Sequence, residues 1–234
     1  MEFENQTVIV TGAAGNLGRA VVDAFASGGA HFVLVALHNK TLAEHFQHED
    51  EHNLFVAADL REQAQANAVA DAAIARFGRI DVLCNLAGGF RMGERVHETS
   101  DETWNFLFDL NARSVLHMAR AVVPRMLANG GGKIVNVGAQ AAQKGVANMG
   151  AYCASKSVVM RLTEAMAAEL RERGINVNCV LPTIIDTPEN RHAMPDADPS
   201  RWVAPADLAR IIVFLASSAA RAIHGASIPV TGLS

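Results

Sequence analysis

The hydrophobic positions of the chain fall into seven short, β-branched runs, separated by longer segments with helical spacing. Parallel strands need crossover connections of about a dozen residues or more, and the intervening segments have that length. The alternation predicts an α/β fold, namely a Rossmann-type doubly wound parallel sheet of about seven strands with helices on both faces. The runs expected to form strands are Thr7–Val10, His31–Leu37, Asn53–Ala57, Ile80–Asn85, Lys133–Val137, Ile175–Leu181 and Ser227–Val230.

Helical spacing is clearest in Arg19–Ser27, Asp101–Leu127 and Ala151–Arg173. One long segment, residues 183–204, has no clear period and is rich in Pro, Asp and Asn. A loop of that length inside a compact domain is typical of a functional lid, so we expect it to cover the substrate. A chain of 234 residues can bury one large core, and we expect a single domain over residues 1–234.

Composition and charge limit the class of partner. The formal net charge of −4 leaves no Lys/Arg stripe to bind a phosphate backbone, so we expect no nucleic-acid partner. The longest apolar runs, such as Ile211–Ala216, are far shorter than the roughly 20 residues of a membrane helix. Cys84, Cys153 and Cys179 lie among apolar residues, as expected for buried free thiols. These features, with an N-terminus unlike a signal peptide, predict a cytoplasmic protein with no membrane partner.

A glycine-rich turn directly follows the first predicted strand. Glycines there would allow a tight strand-to-helix turn and close approach of the backbone to a pyrophosphate, which would face the helix N-terminus. The alternative is a tight turn that binds nothing, but the position between strand and helix favours a dinucleotide site. The residues expected to bind the cofactor here are Gly12, Gly15, Asn16, Leu17 and Gly18.

The end of the second predicted strand bears on the choice of cofactor. An acid at this place usually binds the ribose hydroxyls of NAD, whereas a basic residue admits the 2′-phosphate of NADP. His38, Asn39 and Lys40 follow the strand, and no acid occurs before Glu44. The pattern favours NADP(H), with NAD(H) as the alternative. Further residues expected near the adenosine, which could instead form a helix cap and an ordinary turn, are Asp59, Leu60, Asn85, Ala87 and Gly88.

Tyr152 and Lys156 lie four residues apart near the start of a predicted helix, so both side chains emerge on one face. A free tyrosine has a pKa of about 10, and a neighbouring ammonium would stabilise the phenolate and lower that pKa toward the range useful for acid–base work. Tyr152 would then give a proton while a nicotinamide gives a hydride. Such pairs are common on helix surfaces, and it is the order after a dinucleotide turn that makes this pair specific.

Over nearly its whole length the sequence resembles the short-chain dehydrogenase/reductase family. The matching motifs are Thr11–Gly18, Asn85–Gly88, Asn111, Tyr152–Lys156, Asn178–Pro182 and Thr187–Pro188.

The resemblance assigns roles that the residues alone do not. It implies that Lys156 also holds the nicotinamide ribose, that Asn111 supports a proton-relay water, and that Thr187 lies by the carboxamide. It adds Pro182 and Ile184 to the cofactor contacts. It also implies a homo-oligomer, a tetramer or a dimer, and the broad apolar faces of two predicted helices fit this, although core packing is the simpler explanation of such faces.

The sequence departs from the family in two places. Its glycines follow a GxxGxxG spacing instead of GxxxGxG. The larger departure is Ala139, thirteen residues before Tyr152, where such enzymes carry a catalytic serine. No hydroxyl is available there to hold a substrate carbonyl. Either the protein is inactive as an enzyme, or its substrate does not need that donor.

One branch of the family, the dihydropteridine reductases, also carries alanine at this position, and the surrounding loops are similar. The similar segments are Gly88–Phe90, Gly138–Ala142, Gly150–Tyr152, Val180–Arg191, Met194–Asp198 and Trp202. The likeness fails at the second strand, because those reductases carry an acid at its end and this chain does not. It implies a small conjugated substrate such as a dihydropterin, contacted by Phe90, Ala139, Gln140, Met149, Asn190 and Met194.

Three functions are therefore open. The leading one is an NAD(P)H-dependent reductase that transfers a hydride to a C=N or C=O of a small conjugated molecule, with Tyr152, Lys156 and Asn111 as catalytic residues. The second is an alcohol/ketone dehydrogenase, and the third is a cofactor-binding protein without turnover. No metal site is expected, because the histidine-rich stretch around residues 45–52 is more typical of a solvated polar segment.

Overall fold

The computed structural model describes residues 2–46 and 49–234, and seven parallel strands form one sheet in the order β3-β2-β1-β4-β5-β6-β7. This confirms the predicted doubly wound α/β fold. The strands are β1 Thr7–Thr11, β2 His31–Ala36, β3 Asn53–Ala57, β4 Val82–Asn85, β5 Gly132–Val137, β6 Ile175–Pro182 and β7 Ser227–Val230. The α-helices are α1 Asn16–Ala26, α2 Asn39–Phe46, α3 Gln63–Phe77, α4 Asp101–Phe108, α5 Ser114–Ala128, α6 Gly150–Leu170, α7 Pro188–Ala193 and α8 Pro205–Ala216.

The sheet is covered on both faces, which explains its continuous apolar strands. Successive side chains of a strand point to opposite faces. In β1, accordingly, Val8 and Val10 belong to the core beneath α1 and α8, while Ile9 belongs to the core beneath α3 and α5. Every residue of β1, β4 and β6 is buried, so these strands contribute to the apolar cores along their whole length.

The strand order reverses between β1 and β4, and one side chain joins the two strand ends there. Thr11 Oγ1 accepts hydrogen bonds from the backbone N–H groups of Leu86 and Ala87, both at 3.0 Å. The turn after β1 is therefore held against the chain that leaves β4. Ligands of open α/β sheets bind at such a reversal, at the carboxyl ends of the strands.

A buried amide network fixes α6 on the sheet. Asn85 Nδ2 donates to Asn136 Oδ1, and Asn136 Nδ2 donates to Thr163 Oγ1, both at 2.9 Å. These side chains come from β4, β5 and α6, and each is at most 4% exposed. Because an unpaired polar group is costly at such depth, the network specifies how α6 lies across the strands.

The predicted helix Asp101–Leu127 is interrupted by a π-helical turn over Asp109–Arg113, which separates α4 from α5. Such turns add one residue to the helical repeat and occur often at functional sites. Asn111 lies in this turn and is 1% exposed. Spacing in the sequence could not reveal the turn, because apolar positions on both sides continue a helical period.

The segment 183–204 contains more structure than its sequence predicts. Thr187 caps α7 by accepting from the backbone N–H of Asn190 at 3.2 Å, and Asp198 caps a 3₁₀ turn at Pro199–Arg201 in the same way. Both helical pieces begin with proline, whose fixed φ suits a first helical position. They are too short to produce a detectable hydrophobic period.

Among the described residues, no helix has both the length and the apolar character needed to span a bilayer. All three cysteines are buried and unpaired. Within residues 2–46 and 49–234, no three His, Cys, Asp or Glu side chains are arranged to hold a metal ion. His48 of the histidine-rich stretch lies outside the described residues.

Candidate active site

The side-chain amide of Asn111 connects the chain after β4 with the N-terminal part of α6. Its Oδ1 accepts from the backbone N–H of Gly89 at 2.8 Å, and its Nδ2 donates to the backbone oxygen of Gly89 and to Ser155 Oγ, both at 3.0 Å. Ser155 Oγ in turn donates to the backbone oxygen of Tyr152 at 2.9 Å. Ser155 is thus a positioning residue, and its role was not predicted because a serine inside a helix has many simpler uses.

Lys156 is buried beside this amide. Its Nζ donates to the backbone oxygen of Val137, at the end of β5, at 2.9 Å. A Cβ placed on Gly88 would lie 2.9 Å from Asn111 Oδ1 and 3.2 Å from Lys156 Nζ, so both polar groups border the backbone of Gly88. Burial lowers the pKa of Lys156 to about 8. The structure therefore brings together three predicted site residues, Asn111, Lys156 and Gly88.

Tyr152 packs edge-to-face against Phe90, with ring centroids 4.8 Å apart. Burial raises the pKa of Tyr152 to about 12. The spacing of Tyr152 and Lys156 predicted the opposite direction, with an ammonium stabilising the phenolate. The difference has a physical cause: both groups are desolvated, and the Lys156 ammonium is bound by Val137. Within the described part of the chain, no hydrogen bond joins Lys156 to Tyr152.

A cavity of about 230 Å³ opens beside Tyr152. Of the residues predicted to contact substrate, Met149 lines this cavity, and Phe90 lies against the Tyr152 ring. Gln140, Asn190 and Met194 do not line this cavity. Five polar side chains that were not predicted also line it, and they lie in loops and at a helix end, where no periodic pattern marks them. They are Arg91, Glu94, Thr99, Thr103 and Asn148.

Ala139 is 4% exposed and belongs to an apolar cluster with Cys179 and Leu181, against which Tyr152 packs. The position where a catalytic serine was expected is thus an apolar wall. Gln140 follows it, and its Nε2 donates to Gln143 Oε1 at 3.1 Å. The buried Oε1 of Gln140 has no hydrogen-bond partner in the part of the protein that the structure describes.

The turn after β1 fits a pyrophosphate. A Cβ on Gly18 would lie 2.4 Å from the backbone oxygen of Gly12, so only glycine allows this packing, and Gly12 itself has a φ of +67°. Helix α1 begins at Asn16, and its N-cap Gly15 supplies no side-chain cap. The first N–H groups of a helix, here including Leu17, lack intrahelical acceptors and carry a partial positive charge, which suits an anion.

The segment 183–204 contacts this turn through Glu189, which was not predicted. Asn16 Nδ2 donates to Glu189 Oε2 at 2.8 Å, and Arg19 donates to Asn16 Oδ1 at 2.6 Å. Asn190 Nδ2 donates to the backbone oxygen of Ile185 at 2.8 Å, so this residue orders its own segment. A charged residue on an exposed short helix has no spacing that marks it. Pro182 ends β6, Ile184 and the helix cap Thr187 begin the segment, and Met194 follows α7.

On the adenosine side, His38, Asn39 and Lys40 are exposed after β2. The Asp59 carboxylate forms an ion pair with Arg61, Nη2 to Oδ2, at 2.6 Å, and the hydrogen bond holds the pKa of Asp59 below its usual value. The remaining predicted contacts follow or end strands β3 and β4. Leu60 is buried, Asn85 belongs to the buried amide network, and Ala87 borders the glycine turn.

Comparisons with known proteins agree on one family. Residues 6–198 match the family model described as short chain dehydrogenase. The D-threitol dehydrogenase of Mycolicibacterium smegmatis is 36% identical, over 98% of this chain and 93% of that protein. The 2-dehydro-3-deoxy-D-gluconate 5-dehydrogenase of Escherichia coli is 34% identical, over 98% and 95%. A crystal structure of a short-chain dehydrogenase/reductase from Brucella melitensis, described as a glucose/ribitol dehydrogenase, superposes with a TM-score of 0.91 at 30% identity, over 99% and 97% of the two chains.

The burial of Lys156 predicts a pH dependence of stability in the cofactor-free protein. The folded pKa of about 8 lies below the ordinary value of 10.5, so between these values the unfolded chain binds more protons. The free energy of unfolding of the wild type should therefore rise with pH across this window relative to Lys156→Met, by up to about 3 kcal/mol. Urea unfolding at pH 7.5 to 10 measures the difference, with the exposed Lys144→Met as the matched control. Parallel curves for wild type and Lys156→Met would contradict the assignment.

Proposed function

The chain belongs to the short-chain dehydrogenase family, and from this we propose that it interconverts a secondary alcohol and a ketone on a small, polar, polyhydroxylated molecule. One observation carries the proposal: the cavity beside Tyr152 is lined by the polar side chains of Arg91, Glu94 and Asn148. Its volume of about 230 Å³ is below the roughly 300–1,000 Å³ of pockets for drug-sized ligands. The names of the D-threitol and 2-dehydro-3-deoxy-D-gluconate relatives point to substrates of this chemical kind.

The residues divide the work as follows. A bound nicotinamide cofactor supplies the donor or acceptor of the hydride. The raised pKa of Tyr152 keeps its phenol protonated at neutral pH, which is the form that donates a proton to a ketone oxygen. Asn111 holds the backbone of Gly89 on one side of the site and Ser155 on the other. Lys156 adds a buried positive charge at the end of β5, where its ammonium donates to the backbone oxygen of Val137.

A reductase of a conjugated substrate, our first interpretation of the sequence, is now the second candidate. The proteins described above are named as dehydrogenases of a polyol, of a sugar acid and of glucose or ribitol, and none of them is named a dihydropteridine reductase, so they favour the alcohol/ketone alternative. The specific observation that supports this second candidate is Ala139 in its apolar cluster, because reduction of a C=N group would not require a hydroxyl donor there. The third interpretation, binding without turnover, is not proposed, because the protein is an oxidoreductase of this family.

We also propose that the protein is a homo-oligomer. Val96 and Trp104 are 78% and 45% exposed, and both border a second cavity of about 310 Å³ on the outer side of α4 and α6. Trp104 stacks on Phe108, with ring centroids 4.2 Å apart, which extends the apolar surface. Contiguous exposed apolar surface of this kind is typical of an interaction site.

We predict that NADPH binds at least as tightly as NADH. The chain after β2 presents His38, Asn39 and Lys40 and no carboxylate that would repel a 2′-phosphate. Fluorescence titration of both cofactors measures the ratio. Leu37→Asp, which places a carboxylate directly after β2, should shift the ratio toward NADH, whereas the uncharged Leu37→Asn should leave it nearly unchanged. A much tighter NADH complex of the wild type would be incompatible with this assignment.

Tyr152→Phe tests the general acid. Loss of the phenol should lower kcat by at least about 100-fold, the lower end of the usual contribution of general acid–base catalysis. Binding of the cofactor should stay nearly intact, because the substitution keeps the ring that packs on Phe90. Lys156→Ala should lower kcat and also weaken cofactor binding. Initial rates with C4–C6 alditols and the corresponding ketoses provide the measurement, and full activity of Tyr152→Phe would exclude the proposed role.

Ala139→Ser distinguishes the two candidate functions. For an alcohol/ketone dehydrogenase, a new hydroxyl at this position should raise ketone reduction severalfold or more, since a donor to the substrate oxygen is restored. For a reductase of conjugated C=N substrates, turnover of quinonoid dihydropterin should exist in the wild type and stay unchanged in the variant. Ala142→Ser, in the same apolar cluster, is the matched control and should rescue neither reaction. Dihydropterin turnover with no ketone reduction in either protein would overturn the leading proposal.

A further inference from the structure

Arg91 is the one cationic side chain that borders the cavity beside Tyr152, among the residues that the structure describes. Its guanidinium lies over the ring of Phe106, 4.2 Å from the centroid. A guanidinium stacked on an aromatic face is held in a fixed plane, and its N–H groups stay available at the edge of that plane. The contact with Phe106 therefore restricts the position of a group that can bind carboxylates in a bidentate manner.

Most hydrogen-bonding capacity of Arg91 is unused. A guanidinium has five N–H donors. In the described ranges, Arg91 makes a single hydrogen bond, from Nη1 to Glu102 Oε1 at 3.0 Å. The Glu102 side chain is 83% exposed, so water screens this ion pair and its contribution is small. A carboxylate in the cavity could be bound without breaking a strong existing interaction.

The acid in the same cavity does not compensate for Arg91. Glu94 accepts hydrogen bonds from the backbone N–H of Ser100 at 3.1 Å, from Ser100 Oγ at 3.2 Å and from Thr103 Oγ1 at 3.0 Å. These groups form the beginning of α4, where the helix carries partial positive charge. The Glu94 carboxylate is thus committed to the helix end, and it does not pair with Arg91.

Asn148 supplies a second unused donor at the cavity. It is exposed, has a φ of +60°, and lies in the left-handed region that non-glycine residues rarely adopt. Its backbone oxygen accepts from the N–H of Gly93 at 2.8 Å, whereas its side-chain amide has no partner in the part of the chain described. The same hydrogen bond ties the chain before α6 to the loop that carries Arg91.

From this arrangement we propose that Arg91, assisted by Asn148, binds the carboxylate of the substrate, so that the substrate is a polyhydroxylated acid and not a neutral polyol. The proposal rests on the proposed function and names its substrate class. The carboxylate would lie on the guanidinium at one end of the cavity, and the carbinol or ketone carbon would lie by Tyr152. Arg91 is then a specificity-determining residue outside the proton-transfer machinery.

The test compares two ligands that differ at one carbon. D-gluconate has a carboxylate where D-glucitol has a hydroxymethyl group. Calorimetric titration of each into the protein saturated with oxidised cofactor, with parallel assays of cofactor reduction, should give tighter binding of the gluconate. Arg91→Met, which keeps a long side chain over Phe106, should weaken gluconate binding about 10- to 100-fold, as expected for loss of charge-assisted hydrogen bonds, and should weaken glucitol binding far less.

Arg95→Met is the matched control. Its guanidinium is 69% exposed, pairs with Glu98 at 3.8 Å and does not line the cavity, so this variant should bind both ligands like the wild type. Arg91→Lys keeps the charge without the planar fork and should give an intermediate affinity for gluconate. Thermal unfolding of all variants confirms that they are folded.

Each outcome separates the two proposals. Equal affinities for gluconate and glucitol in the wild type, or no binding of either, would overturn the role of Arg91, and the dehydrogenase function would still stand if neutral polyols reduce the cofactor. An equal loss for both ligands in Arg91→Met would also overturn it, since the role would then be structural. Arg91-dependent binding of gluconate without any reduction of cofactor would support the carboxylate site and contradict the proposed function.

Discussion

The amide of Asn111 is the contact on which the geometry of the site depends, because it satisfies three hydrogen bonds in one buried place. It binds both backbone groups of Gly89 and the hydroxyl of Ser155, and so joins the chain after β4 to the second turn of α6. An amide at 1% exposure cannot exchange these partners for water, so displacing any of the three would leave a polar group unpaired. The π-helical turn that carries Asn111 provides the extra residue that brings its side chain there.

Burial also shifts the pKa values of the two side chains for which catalytic roles are proposed, Tyr152 and Lys156. The same packing that fixes α6 removes Tyr152 and Lys156 from water, and desolvation disfavours the charged form of each. The phenol therefore keeps its proton, and the ammonium loses its proton more readily than an exposed lysine. The i, i+4 spacing in the sequence predicts only that the two side chains share a face. The direction of each pKa shift is set by burial, which depends on how α6 packs against residues far away in the sequence.

Regular periods and local motifs account for what could be predicted from the sequence. The seven strands, the glycine turn and the helix carrying Tyr152 each depend on residues near one another in the chain, and the structure contains all of them. Contacts between distant segments could not be predicted in this way. Glu189 meets Asn16 across 173 residues, and the network of Asn85, Asn136 and Thr163 joins two strands and a helix. In each case the side chain is an ordinary polar residue until the sheet order brings the partners together.

Ala139 and the polar cavity are best understood together. Without a hydroxyl at the end of β5, the apolar wall formed with Leu181 cannot orient a substrate oxygen by hydrogen bonding. Orientation must then come from donors elsewhere at the site, and unused donors lie in Arg91, between β4 and α4, and in Asn148, just before α6. A charge-assisted bidentate contact is stronger and more directional than one hydroxyl hydrogen bond. We therefore infer that this protein positions its substrate through Arg91, in the loop between β4 and α4, and through Asn148, in the segment before α6.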